Sequence, residues 1–156
     1  MISKMKVLFI GSIYSNSFKK YLINQGLPIS SAGQTFEIAL LDGLNKYCDI
    51  KVISEFFVPT YPKFKKCYID GELFQAGSSA CESIVFFNIP FLKKISQFFS
   101  YLIKIWKYSK SADSIIVYEL TSRQLLSAVI AGRSTKKYAI VPDLPEFMSE
   151  NKNPFY

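Results

Sequence analysis

The chain has 156 residues, 49% of them hydrophobic and 20% charged, which is enough for one globular domain and excludes a disordered protein. Its formal net charge of +7 favours anionic partners such as nucleotide phosphates, nucleic acid or an anionic lipid surface. It contains no histidine, the commonest general base and metal ligand, so no metal site is expected.

The three cysteines are widely spaced and form no CxxC pattern, which indicates reduced thiols in a cytosolic protein. The first apolar run is too short for a signal peptide. No uninterrupted apolar stretch reaches the roughly 18 residues of a membrane-spanning helix.

The predicted elements alternate between strand and helix along the chain. Strands separated by helices predict βαβ units, and therefore an α/β fold with a mostly parallel sheet. The elements in order are a strand at 6–11, a long loop at 12–34 with a helical turn at 18–24, a helix at 35–47, a strand at 49–57, a turn-rich segment at 58–83, a strand at 84–88, helix 91–110, strand 113–120, helix 122–132 and strand 137–143.

Ligands of such sheets bind beyond the carboxyl ends of the strands. This rule selects four places in the sequence: Gly11 with the residues directly after it, 55–57, 118–121 and 143–146. The first connection has neither a G-x-G-x-x-G nor a P-loop pattern, which argues against a dinucleotide dehydrogenase or a P-loop NTPase. Its "SSAGQ" segment precedes a predicted helix start, with Thr35 as N-cap, and is either an anion site or an ordinary surface loop.

The predicted helix at 91–110 is amphipathic, basic and without any acid. Its apolar arc is expected to pack on the sheet, with Lys93, Lys104 and Lys107 on the opposite side and Lys94 and Lys110 near the edges. The helix is either a core helix alone or a core helix that also contacts an anionic membrane. The predicted membrane contacts are Lys93, Lys104, Trp106 and Lys107. The apolar arc comprises Phe91, Leu92, Ile95, Phe98, Phe99, Leu102, Ile103, Ile105 and Trp106.

The segment "VPDLPE" places two acids at the end of the last predicted strand. Pro142 and Pro145 restrict the backbone around Asp143 and Glu146, so these carboxylates are held in position. They would bind a cation, accept a proton or bind sugar hydroxyls; the alternative is a local turn in which Asp143 bonds nearby N–H groups.

The segments "KVLFIG", "SAGQTFEIALLDGL", "FNIPFLKKI", "SIIVYEL" and "AIVPDLPEFM" together resemble the amino-terminal half of bacterial glycosyltransferases of the GT-B type, nearest to family 4 enzymes of surface-polysaccharide synthesis. In that family two Rossmann-like domains face each other across a cleft. The resemblance therefore implies that 1–156 is a single acceptor-side domain, a Rossmann-like three-layer sandwich. It also implies that the whole enzyme is a hexosyltransferase that retains configuration. The domain that binds the nucleotide-sugar and carries the catalytic residues would lie outside this chain.

The resemblance further implies roles for single residues. Gly33 and Gln34 would lie near the donor phosphates, and Tyr118 and Glu119 would line the acceptor pocket. Asp143 and Glu146 would bind sugar hydroxyls or position their loop. No cofactor is expected beyond the nucleotide-sugar substrate, and the acceptor would be a saccharide or a lipid-linked sugar. The implied location is cytoplasmic, peripheral on the inner face of the plasma membrane.

Two other classes of function compete with this interpretation. One is a non-catalytic binding or regulatory domain with a flavodoxin-like sheet. The other is a nucleic-acid binder, which only the positive charge suggests, since the basic residues are scattered and form no recognised RNA or DNA motif. No nucleic-acid partner is therefore expected.

Overall fold

A computed structural model describes residues 4–29, 31–118, 121–132 and 138–141. Strands and helices alternate over much of these ranges, as the sequence predicts. The strands are β1 (Met5–Gly11), β2 (Cys48–Ser54), β3 (Tyr68–Ile69), β4 (Leu73–Ala76), β5 (Ser79–Ser83), β6 (Phe86–Phe87), β7 (Ser114–Tyr118) and β8 (Tyr138–Val141); the helices are α1 (Asn16–Asn24), α2 (Ser31–Asn45), α3 (Leu92–Ser109) and α4 (Ser122–Ala131).

Six of the strands form one mixed sheet in the order β4-β5-β2-β1-β7-β8. All neighbouring pairs are parallel except β4 and β5, which form an antiparallel hairpin. The α/β class with a mostly parallel sheet is therefore confirmed. The parallel strands run in the order 3-2-1-4-5, as in doubly wound Rossmann sheets, whereas a flavodoxin-like sheet has the order 2-1-3-4-5.

The helices cover both faces of the sheet. In β1, Leu8 and Ile10 point into a core shared with α1, α3 and α4, while Val7 and Phe9 point into a second core beneath α2. This alternation along β1 follows from the two-residue period of a strand, and both faces are apolar because both are covered.

The prediction that the strand at 84–88 belongs to the main sheet is wrong. The strand that pairs in parallel with β2 is β5, and β6 instead pairs with β3 in a separate two-stranded antiparallel sheet. The sequence of β5, "SACES", alternates buried and less buried residues and lacks the apolar run that marks a central strand. Gly77 lies in the β4–β5 turn with φ +57°, a conformation that favours glycine.

Helix α2 begins earlier than predicted and shows a different face to the core. It starts at Ser31, so Thr35 lies inside the helix and is not its N-cap. The apolar spacing of Phe36, Leu40 and Leu44 predicts a core-facing side, yet Phe36 is 61% exposed, whereas Gln34 and Glu37 are buried. These two polar side chains face inward because they bond the backbone of the loop after β1.

Helix α3 is also rotated relative to its predicted orientation. Its buried residues are Gln97, Tyr101, Ile105 and Ser109, and most of the expected apolar arc lies outside. The polar members face inward because they meet buried partners; for example, the Ser109 hydroxyl donates to the Ala131 carbonyl at 3.1 Å. Among the described residues, no helix is both long enough and apolar enough to cross a bilayer.

Candidate functional site at the carboxyl edge of the sheet

The first two connections of the sheet are tied together at its carboxyl edge. The amide of Glu55 donates to the Gly11 carbonyl at 3.0 Å, directly beyond β2. The Ser54 hydroxyl donates to the Ile13 carbonyl at 2.6 Å, and the Tyr14 hydroxyl donates to the Phe57 carbonyl at 2.7 Å. The loops after β1 and β2 therefore form one connected rim.

Two side chains from the first turns of α2 form hydrogen bonds with the backbone of this rim. The Gln34 amide group donates to the Ser12 carbonyl at 2.9 Å and accepts from the Tyr14 amide at 3.2 Å. Glu37 Oε1 accepts from the Ser12 amide at 3.0 Å. A Cβ on Gly11 would lie 1.7 Å from Glu37 Oε1, so glycine is required for this approach.

A buried polar cluster lies next to the rim, centred on Glu55. This carboxylate is 0% exposed and accepts hydrogen bonds from side chains of α3 and α4. Gln97 Nε2 donates to Oε1 at 2.6 Å, Tyr101 donates to Oε2 at 3.0 Å, and Arg123 Nη2 donates to Oε1 at 3.2 Å. Gln124 Nε2 in turn donates to the Tyr101 hydroxyl at 2.9 Å. The cluster thus joins the end of β2 to the inner faces of α3 and α4.

Charges of both signs meet in this cluster. Burial raises the pKa of Glu55, and the nearby Arg123 guanidinium opposes that shift. Lys93 also interacts with Glu55, and partial burial lowers the pKa of the lysine. Two cations therefore accompany one carboxylate, which leaves the neighbourhood positive when all three groups are ionised.

Several polar atoms of the cluster are buried without a hydrogen-bond partner in the described part of the chain. They are Gln97 Oε1, Gln124 Oε1 and Arg123 Nε. Buried polar groups are nearly always paired in folded proteins, so unpaired ones need a specific explanation. Among the described residues, these three atoms have hydrogen-bonding capacity left for a water or a bound group.

Arg123 reaches solvent at the edge of the cluster, since 24% of its side chain is exposed. It lies in the first turn of α4, whose N-cap Thr121 accepts a hydrogen bond from the Gln124 amide at 3.4 Å. A helix start attracts anions through its N–H groups and dipole, and a guanidinium binds carboxylates and phosphates in a fixed geometry. This part of the edge is therefore suited to an anionic group.

The predicted site residues fall into three groups. Gln34 is at the edge, but its buried side chain braces the first loop, and Gly33 lies half-buried beside it in the first turn of α2. Tyr118 ends β7, and its ring is buried at 6.0 Å from that of Phe9, in the core beneath α2. Glu119, Asp143 and Glu146 lie outside the described residues.

The predicted membrane contacts also differ in their surroundings. Lys93 donates to the Val58 carbonyl at 2.5 Å, and Lys104 pairs with Glu82, so both are held within the protein. Lys107 and Trp106 are exposed. The exposed cations on α3 are therefore a different set from the one that the sequence predicted.

Sequence reasoning selected the position of Glu55 through the strand-end rule but missed its partners. Gln97 and Tyr101 are four residues apart on one helix face, opposite the apolar arc, and such a polar pair was the available signal. In the described ranges, no group of three or more Cys, Asp or Glu side chains could hold a metal ion.

Comparisons of this chain with protein-family models, with curated proteins and with solved structures find no match.

Proposed function

We propose that this chain is the acceptor-side domain of a GT-B type glycosyltransferase, which moves a sugar from a nucleotide-sugar to a lipid-linked or saccharide acceptor in surface-polysaccharide synthesis. A second domain would bind the donor and supply the catalytic residues, so the domain alone is expected to be inactive. The Rossmann strand order and the resembling segments support this proposal, and the strand order disfavours the flavodoxin-like alternative.

The observation that carries the proposal is the arrangement of Arg123 and Glu55 at the carboxyl edge of the sheet. A buried carboxylate fixes the guanidinium in one orientation, which reduces the entropy lost on binding an anion. An acceptor carried on a lipid phosphate presents such an anion close to its sugar. Arg123 would hold that phosphate and so place the acceptor hydroxyl towards the donor side of the cleft.

The remaining edge residues would complete the cleft wall. Gln34 and Glu37 keep the first loop in place beneath the ligand. In this proposal Glu119, Asp143 and Glu146 bind sugar hydroxyls, and Gly33 lies near the donor phosphates. No general base is assigned to this domain, because the chemistry belongs to the cleft formed with the second domain.

Binding of simple phosphates to the purified chain tests the anion site. Inorganic pyrophosphate and uridine diphosphate are titrated by calorimetry into the unaltered chain and into Arg123→Gln, with Lys63→Gln as a control for the loss of one exposed positive charge. We expect Arg123→Gln to weaken pyrophosphate binding about tenfold or more, as the loss of a charge-assisted contact predicts, and Lys63→Gln to have no effect. Uridine diphosphate should bind no more tightly than pyrophosphate, because recognition of the nucleoside belongs to the other domain.

Two results would contradict the proposal. Pyrophosphate binding that is absent, or unaffected by Arg123→Gln, would remove the anion site. A full-length protein that binds pyrophosphate at Arg123 but transfers no sugar from nucleotide-sugars to lipid or saccharide acceptors would instead favour a non-catalytic binding domain.

A further inference from the structure

The outer side of α3 carries a row of exposed apolar side chains. Leu92, Ile95, Phe99, Ile103 and Trp106 are between 50% and 64% exposed. Their spacing of three and four residues places them on one stripe of the helix. In a soluble domain that stripe normally faces the core, but here the core side is taken by the partners of Glu55.

Helix α4 extends this surface. It packs beside α3 through polar contacts, such as the Ser127 hydroxyl donating to the Phe98 carbonyl at 3.2 Å. Its own outward residues are Leu126, Val129 and Ile130, each at least 40% exposed. We call the eight outward apolar residues of the two helices the α3–α4 face. They are Leu92, Ile95, Phe99, Ile103, Trp106, Leu126, Val129 and Ile130.

The apolar surface continues on the other flank of α3. A groove of about 520 Å³ separates this helix from the two-stranded sheet, and Phe87, Phe99 and Ile103 help to line it. Phe87 is itself 50% exposed. Large exposed apolar patches on a folded domain mark places where something else binds, and these residues are candidates for such a place.

The charge around the α3–α4 face indicates what binds there. Neither α3 nor α4 contains an aspartate or a glutamate. Lys107 and Lys110 are exposed at the carboxyl end of α3 and Lys94 at its amino end, and Lys110 Nζ lies 4.2 Å from the centroid of the Trp106 ring. A second copy of the chain is disfavoured, because a two-fold interface would place the same cationic face against itself.

We propose that the α3–α4 face lies on an anionic lipid bilayer, with both helices parallel to the membrane plane. Apolar and aromatic side chains would enter the boundary between headgroups and acyl chains, and the flanking lysines would meet anionic headgroups. The contact set differs from the sequence prediction. Lys93 and Lys104 are partly buried against Val58 and Glu82, whereas Lys94, Lys107 and Lys110 are exposed.

The single tryptophan of the chain, Trp106, lies in this face, so its fluorescence reports whether the face enters a bilayer. The chain is mixed with vesicles of phosphatidylcholine, with or without phosphatidylglycerol, and followed by Trp106 fluorescence and by flotation. We expect a blue shift of the emission and co-flotation with the anionic vesicles, and much weaker binding to the neutral ones.

Two pairs of variants separate the apolar and charged parts of the contact. Ile103→Glu should weaken partitioning about tenfold or more, whereas Ile23→Glu, at a residue of the same type and the same 64% exposure on α1, should not. Replacing Lys94, Lys107 and Lys110 by glutamate should abolish the preference for anionic vesicles. The matched replacement of the exposed Lys20, Lys63 and Lys65 should leave most of it.

Three outcomes would overturn the proposal. The first is no binding to anionic vesicles by the unaltered, folded chain. The second is equal loss of binding in Ile103→Glu and Ile23→Glu. The third is self-association without lipid that Ile103→Glu abolishes in sedimentation equilibrium, which would assign the face to a second copy. Circular dichroism of each variant confirms that it is folded before binding is compared.

Discussion

Replacing Arg123 with glutamine should destabilise the protein through Glu55. That carboxylate is 0% exposed, and Arg123 is the cation that donates to it. Removing one partner of a buried ion pair typically costs about 3–5 kcal/mol, because the remaining charge is left in a poorly solvating environment. Glu55 keeps its hydrogen bonds from Gln97 and Tyr101, and the Arg123 side chain is 24% exposed, so the expected loss is about 2–3 kcal/mol.

Urea unfolding measures this loss. With an m value of about 2 kcal/mol/M, the midpoint of Arg123→Gln should fall by about 1–1.5 M. Lys51→Gln is the control, because Lys51 forms a 3.8 Å ion pair with Glu82 and its side chain is 32% exposed. That variant should lose less than about 1 kcal/mol. In a double-mutant cycle, Glu55→Gln should relieve part of the cost of Arg123→Gln, because the buried carboxylate is then no longer charged.

The loss should also depend on pH with a definite sign. Burial raises the pKa of Glu55 above its ordinary value of 4.5, so its contribution to stability is fully present below that pH and is lost as the pH rises through the folded value. Without Arg123 the folded pKa rises further. The deficit of Arg123→Gln should therefore grow from acid to neutral pH. A deficit below about 1 kcal/mol at neutral pH, or one that does not change with pH, would show that Arg123 does not balance the charge on Glu55.

Two further predictions concern the first loop and the thiols. Gly11→Ala should lower the free energy of unfolding in urea by about 2–3 kcal/mol, because its Cβ would displace Glu37. Gly43→Ala should raise it by about 0.5–1 kcal/mol, because Gly43 lies within α2 and its Cβ would meet no other atom. Equal effects of the two variants would contradict the described packing. In a thiol titration of the native chain, the exposed Cys67 should react fast, while Cys81, whose pKa burial raises to about 12, should react only after unfolding. Rapid reaction of all three thiols in the native chain would contradict the burial of Cys81.

Local periodicity predicted most of the elements but not how the helices are rotated. The helix at 91–110 is present, yet a helical wheel assumes that the apolar arc faces the core. Gln97 and Tyr101 face inward because Glu55 is buried and needs donors, and Glu55 is more than 40 residues away in sequence. A requirement of that range is not visible in the local pattern of the helix.

The same limit applies to α2 and to β5. Gln34 and Glu37 turn inward to satisfy backbone groups of a loop about 20 residues earlier, which displaces Phe36 to the surface. β5 is short and alternating, so only its pairing with β2 identifies it as the next parallel strand. The strand-end rule, in contrast, depends on topology alone, and it selected the position of Glu55 directly beyond β2.

Because α3 contributes to both proposed sites, the two proposals can be tested separately on one helix. Gln97 and Tyr101 bind Glu55 from its inner side, while Ile103 and Trp106 lie on its outer side. Arg123→Gln should therefore weaken pyrophosphate binding and leave flotation with anionic vesicles unchanged, and Ile103→Glu should do the reverse. If either variant impaired both, the two effects would reflect a shift of α3 as a whole. If the separation holds, a bilayer beneath α3 would bring a lipid-linked acceptor within reach of the sheet edge, since an 18-residue helix is only about 27 Å long.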